Sequence, residues 1–73
     1  MDLDKNSRKA DAMGDLYRGA FNMAKGNNEL ALEFVEKAGR KLGRKIVINF
    51  DNSKDNLFWA EKILDEYYRV KLS

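Results

Sequence analysis

Gly43-Arg44-Lys45-Ile46-Val47-Ile48-Asn49-Phe50 is the stretch whose reading decides the fold. Ile46, Ile48 and Phe50 alternate with Val47 and Asn49, a period-two pattern rich in β-branched residues. It is the one part of the chain that reads as extended, and the segments on both sides read as helix. A strand must satisfy its backbone N–H and C=O groups against a neighbour. The sequence offers no second strand within the chain. Cations lead into the stretch, Arg40, Lys41, Arg44 and Lys45, so its environment and its charge both require an account.

Working outward, the segment before it predicts a helix over about 29–42. Leu30, Phe34, Ala38 and Leu42 form an apolar stripe, widened by Ala31 and Val35. Glu29, Glu33 and Glu36 open this helix, and Lys37, Arg40 and Lys41 close it, which complements the helix dipole. Gly43 stops it. Upstream, Asn6 or Ser7 is suited to cap a first helix running to about Lys25, so that residues 7–25 form the helix and residues 1–6 a disordered polar lead. Gly26-Asn27-Asn28 supplies the stop, with Gly26 suited to a left-handed backbone.

Downstream, Asp51-Asn52-Ser53 is turn chemistry, and Ser53 is placed to cap a third helix from Lys54 to about Val70. Leu57, Trp59, Ala60, Ile63, Leu64, Tyr67 and Val70 spread over an arc of about 180°, wider than the ~100° stripe of a one-sided surface helix. Phe58 lies outside even that arc. The third helix is therefore expected to meet two surfaces, the helix pair and either the extended segment or a partner.

The resulting fold class is mostly α. It comprises an antiparallel helix pair, a long third helix packed across the pair, and one short extended segment at about 45–50 between helices two and three. All 73 residues form one small domain. Two arrangements accommodate the extended segment. It pairs with its copy across a two-fold axis in a homodimer, or it crosses the core of a monomer with Ile46, Ile48 and Phe50 buried under helix three. The monomer is the simpler reading, because a connection of this length joins helices without pairing.

Gly19, Gly26, Ala31, Val35 and Ala38 have the spacing of small and apolar positions in a helical hairpin. The run from Gly26 through Leu30, Phe34 and Val35 to Ala38 resembles the turn and second helix of a tetratricopeptide repeat. Asp15 and Arg18 stand where that family favours a Trp-like and a Leu-like residue, and no second copy follows. The resemblance implies a tight antiparallel pair and, for function, peptide or protein binding.

Composition narrows the chemistry. There is no Cys and no His, which leaves no disulfide framework, no thiolate or imidazole metal site and no imidazole catalysis. Asp51, Ser53 and Asp55 mimic the first ligands of a calcium loop, but Asn56 and Lys62 occupy the positions that need glycine and a bidentate glutamate. Asp2, Asp4 and Asn6 fail likewise, with Met13 in the twelfth place. No metal, cofactor or catalytic residue is assigned, and the chain is not expected to be an enzyme. The acidic, polar start and the lack of a long apolar run read as a cytoplasmic protein without membrane contact.

Two surfaces remain as functional candidates. The first is a partner-binding face on helix three, with Phe58, Trp59 and Val70, for a non-catalytic protein-interaction or regulatory module. The alternative is nucleic-acid or anion contact through Lys37, Arg40, Lys41, Arg44 and Lys45. The net charge of +2 is too small to imply such a partner unless those cations converge.

Overall fold

The computed structural model describes the backbone of residues 2–73 and the side chains of residues 7–73. Three helices, α1 (Asp2–Ala24), α2 (Asn28–Leu42) and α3 (Asn56–Leu72), account for all the regular structure among the described residues. The expected disorder of residues 1–6 falls outside the described side chains. The bounds of α1 nevertheless place its start at Asp2 rather than at an Asn6 or Ser7 cap.

The core follows from the apolar spacing of α1. Ala12, Leu16, Ala20 and Met23 recur at three- and four-residue intervals and are buried along one stripe. Ala31, Val35 and Ala38 of α2 and Trp59, Ala60, Ile63 and Val70 of α3 complete the cluster. The α1–α2 hairpin is tight because small residues meet there. A Cβ added at Gly19 would stand 3.2 Å from the Ala31 carbonyl oxygen. Gly26, at φ +90°, closes α1 as anticipated, with Gly26 and Asn27 N–H groups donating back to Met23 and Asn22.

The third helix does not lie across the pair. It packs along α1, which forms a central spine with α2 on one side and α3 on the other. Between α2 and α3 runs the connection 43–55, and this is where the extended stretch acts. Ile46, Ile48 and Phe50 are half-buried against the core while Lys45, Val47 and Asn49 are exposed, so the period-two pattern is realised without a strand partner. Phe50 meets Trp59 with ring centroids 5.5 Å apart. The wide apolar arc of α3 is thus divided between α1 and the crossing segment.

α3 begins two residues later than Lys54. The Asp51 side chain accepts from both the backbone and the hydroxyl of Ser53, which draws Ser53 back into the turn. Asp55 caps instead, its carboxylate accepting from Phe58 N–H at 2.9 Å. Asn56 then ties the three elements together, donating to the Met23 carbonyl at 2.8 Å and to the Asn28 side chain at 2.6 Å.

Candidate functional site

The partner face proposed for α3 is largely spent on the core. Trp59 is 8% exposed and Val70 3%, so neither presents a surface. Phe58 is half-buried, and the ammonium groups of Lys54 and Lys62 stand 5.7 and 5.2 Å from its ring centroid. The large apolar side chains that do reach solvent are others: Tyr17 and Phe21 on α1, Leu30 on α2, Leu57, Tyr68 and Leu72 on α3, and Val47 on the segment. A helical wheel cannot separate an arc buried on one neighbour from an arc shared between two, which is why the inward pair was taken for the outward one.

The basic cluster is dispersed among partners. Arg40 pairs with Glu36 at 3.1 Å on the exposed face of α2, a contact worth only about 0.3–0.5 kcal/mol. Lys41 reaches across the hairpin to Asp15 at 2.8 Å, and Arg44 stands 3.7 Å from Glu66 of α3. Lys37 lies 5.4 Å from the centroid of the Phe34 ring. Lys45 forms no ion pair among the described residues.

Asp15 is the one buried charged side chain among the described residues, 3% exposed, and nothing in its sequence neighbourhood signals that burial. Burial penalises its charge. Hydrogen bonding and attraction from Lys41 and Arg18 more than offset that penalty, and its pKa is held below the usual aspartate value. A depressed folded-state pKa stabilises above the unfolded value of about 3.9 and loses that contribution as pH falls through the folded one. Thermal stability is therefore expected to hold down to about pH 4 and to drop below it. Asp15→Asn should flatten that acid limb and cost about 1–3 kcal/mol at neutral pH. Differential scanning fluorimetry from pH 7 to pH 2 checks both. Asp51, whose pKa is lowered by its hydrogen bonds from Ser53, titrates in the same direction, so Asp51→Asn is the control.

At the end of the molecule where α2 and α3 terminate, Arg8, Lys9 and Arg69 line a crevice together with Arg40, Lys41 and Arg44. Three helices contribute these cations, and sequence proximity could reveal only those on α2. The same crevice receives the carbonyl-bearing C-termini of two helices, whose partial negative charge the cations offset. Lys9 already donates to the Ser73 carbonyl at 3.0 Å, and Glu66 holds both Arg44 and Arg69.

A different concavity lies beside the extended stretch. Leu32, Val35 and Gly39 of α2 face Ile46, Val47 and Ile48 across a mainly apolar groove of about 630 Å³, which Glu36, Arg40, Arg44 and Lys45 also line. Its geometry originates at the end of α2. Gly43 takes a left-handed backbone at φ +71°, its N–H donating to the Arg40 carbonyl and that of Arg44 to the Gly39 carbonyl. The chain thereby turns back against Gly39, where an added Cβ would fall 2.7 Å from the Arg44 oxygen. Beyond that turn, none of the backbone N–H groups of Lys45 to Asn49 donates to another described residue. The next contact is Phe50 N–H to the Ile48 carbonyl at 2.8 Å, a local turn that ends the run.

Val47, 58% exposed, stands at the middle of this unpaired edge. Exposed unpaired strands are ordinarily protected by charge, proline or a covering element. Here the charge sits at the ends of the run and the centre is apolar. No helix among the described residues is long and apolar enough to cross a membrane, and no three acidic side chains gather there as a metal cage would require. Comparison with protein families, with curated proteins and with solved structures finds no match for this chain.

Proposed function

We propose that this is a non-catalytic protein-binding module, and that its docking site is the unpaired edge Lys45–Asn49 with the groove beside it. The observation that carries this reading is the row of backbone donors without partners next to the cleft between Leu32, Val35 and Ile46. Such an edge accepts an added strand: main-chain hydrogen bonds supply affinity, and alternate side chains of the guest enter the groove. Glu36 and Glu66 pair with Arg40 and Arg44, and Lys45, which has no ion pair among the described residues, favours a guest that carries an acidic residue. The exposed aromatic residues on α1 and α3 lack a comparable directional element.

Nucleic-acid binding is the second reading, favoured by the convergence of Arg8, Lys9 and Arg69 with Arg40, Lys41 and Arg44. Against it stand the ion pairs to Glu36, Asp15 and Glu66, and the two helix C-termini that face the crevice. One titration separates the two. Amide and methyl resonances of the labelled protein are followed against an acetylated heptapeptide of alternating valine and threonine ending in aspartate. A parallel series uses a single-stranded oligonucleotide. The docking-edge reading expects shifts at residues 45–49 and at the Leu32 and Val35 methyls, with the peptide alone. Shifts centred on Arg40, Arg44 and Arg69, with the oligonucleotide alone and weakening steeply with salt, would transfer the function to nucleic acid.

A further inference from the structure

Resting on the docking-edge reading, we infer that the guest is a second copy of this chain. The two Lys45–Asn49 segments pair antiparallel about a two-fold axis through Val47. The chain itself contains a segment with the properties its own groove selects: alternating apolar residues, an exposed backbone, and an acid, Asp51, just beyond the end.

The pairing is self-consistent in register. Antiparallel placement centred on Val47 sets Val47 against Val47 of the second copy and Ile46 against Ile48. Lys45 then opposes Asn49, and Gly43 opposes Asp51. Opposed residues point to the same face of a ribbon. The half-buried Ile46 and Ile48 of one copy therefore continue the inner layer of the other, while Lys45, Val47 and Asn49 form the outer face. A slip of one residue would set inward isoleucines against the outward Val47 and break both layers, so the pattern specifies this alignment.

Charge selects the direction. Arg44 and Lys45 lie at the start of the segment and Asp51 just past its end. A parallel pair would stack cation on cation. The antiparallel pair brings Arg44 and Lys45 of one copy beside Asp51 of the other. The two Lys45 residues are four positions apart along the ribbon, about 13 Å at the rise of a strand, beyond the Debye length of about 8 Å at physiological salt. Each strand is backed by its own core through Ile46, Ile48 and Phe50, which an isolated hairpin lacks. The contact between five-residue strands is small, which suits a reversible dimer with a dissociation constant on the order of 10 μM rather than an obligate one.

Sedimentation equilibrium on the full chain, from a few micromolar to several hundred, tests this. The weight-average mass should climb from 8.4 kDa towards twice that value. Val47→Lys places two like charges face to face at the axis and should weaken association at least tenfold. Because Val47 is exposed, the far-UV circular dichroism should not change. Val47→Glu should behave in the same way alone. Mixing the two variants should restore the doubled mass, since residue 47 would then oppose a charge of the other sign. A mass of 8.4 kDa at every concentration overturns the self-pairing, as does association that Val47→Lys leaves intact or that the mixture fails to recover. If the chain stays monomeric while the valine–threonine peptide still shifts residues 45–49, only the identity of the guest is wrong. If neither copy nor peptide binds, the docking edge falls as well.

Discussion

Trp59→Ala is expected to remove a large share of the folding stability of the chain. Trp59 packs from α3 against the segment, with Phe50 at 5.5 Å and Phe58 edge-on at 5.0 Å between ring centroids. Truncating a buried aromatic to alanine costs about 3–5 kcal/mol in transfer and cavity terms. A domain of this length has a total stability of about 4–11 kcal/mol, so the loss consumes much or all of it. One contribution runs the other way. The indole Nε1 is buried without a hydrogen-bond partner among the described residues, and such a donor costs about 1–3 kcal/mol to bury unpaired. Trp59→Phe removes that donor while keeping a ring against Phe50, and should therefore cost far less than the alanine variant. Urea denaturation followed by far-UV circular dichroism gives both values. A Trp59→Ala protein within about 1 kcal/mol of the parent would show that the segment does not lean on this side chain.

The second large effect belongs to a residue with no side chain. Gly39 lies inside α2, where alanine would ordinarily gain about 0.8–1 kcal/mol in helix propensity. The added Cβ, however, falls 2.7 Å from the Arg44 carbonyl oxygen and close to the Ile46 N–H. Both are backbone atoms of the returning chain, held by the Arg44 N–H bond to the Gly39 carbonyl. They cannot swing aside as a flexible side chain would. Gly39→Ala is expected to destabilise by about 1–3 kcal/mol and to lift the segment from α2. Loss of protection at the Arg44 and Phe50 amides, which donate to the Gly39 and Ile48 carbonyls, relative to α1, read by hydrogen exchange, would localise the damage. A neutral or stabilising outcome would mean that the close approach is not maintained in solution.

Local chemistry was legible wherever a residue acts on its own neighbours. Gly26 and Gly43 were readable as left-handed stops because a helix end needs φ above zero within one residue. The alternation of Ile46, Ile48 and Phe50 announced which side of the segment turns inward. What stayed hidden depends on which distant residue arrives. The burial of Asp15 is intelligible only once Lys41 crosses the hairpin to meet it, and a lone aspartate between Gly14 and Leu16 gives no notice of that. Arg8, Lys9 and Arg69 join the α2 cations only because the C-terminal turns of α2 and α3 come together beside the first half of α1. The Ser53 cap was misjudged for a local reason, two side chains competing for one turn. Asp51 captured the serine first.

The position of α1 between two helices that scarcely meet has a consequence for how the molecule opens. A bundle in which every helix touches every other gives way as one unit. Here α2 and α3 are each anchored to the spine, and they are linked to one another by the Asn56–Asn28 hydrogen bond at one end and by the crossing segment through Phe50 and Trp59. Release of that segment would let α3 detach while the α1–α2 hairpin, closed by a short turn and small-residue contacts, stays zipped. Cooperativity in this fold therefore depends in part on a stretch that contains no regular secondary structure, and the hold of Phe50 on Trp59 bears on whether the chain unfolds in one step or two.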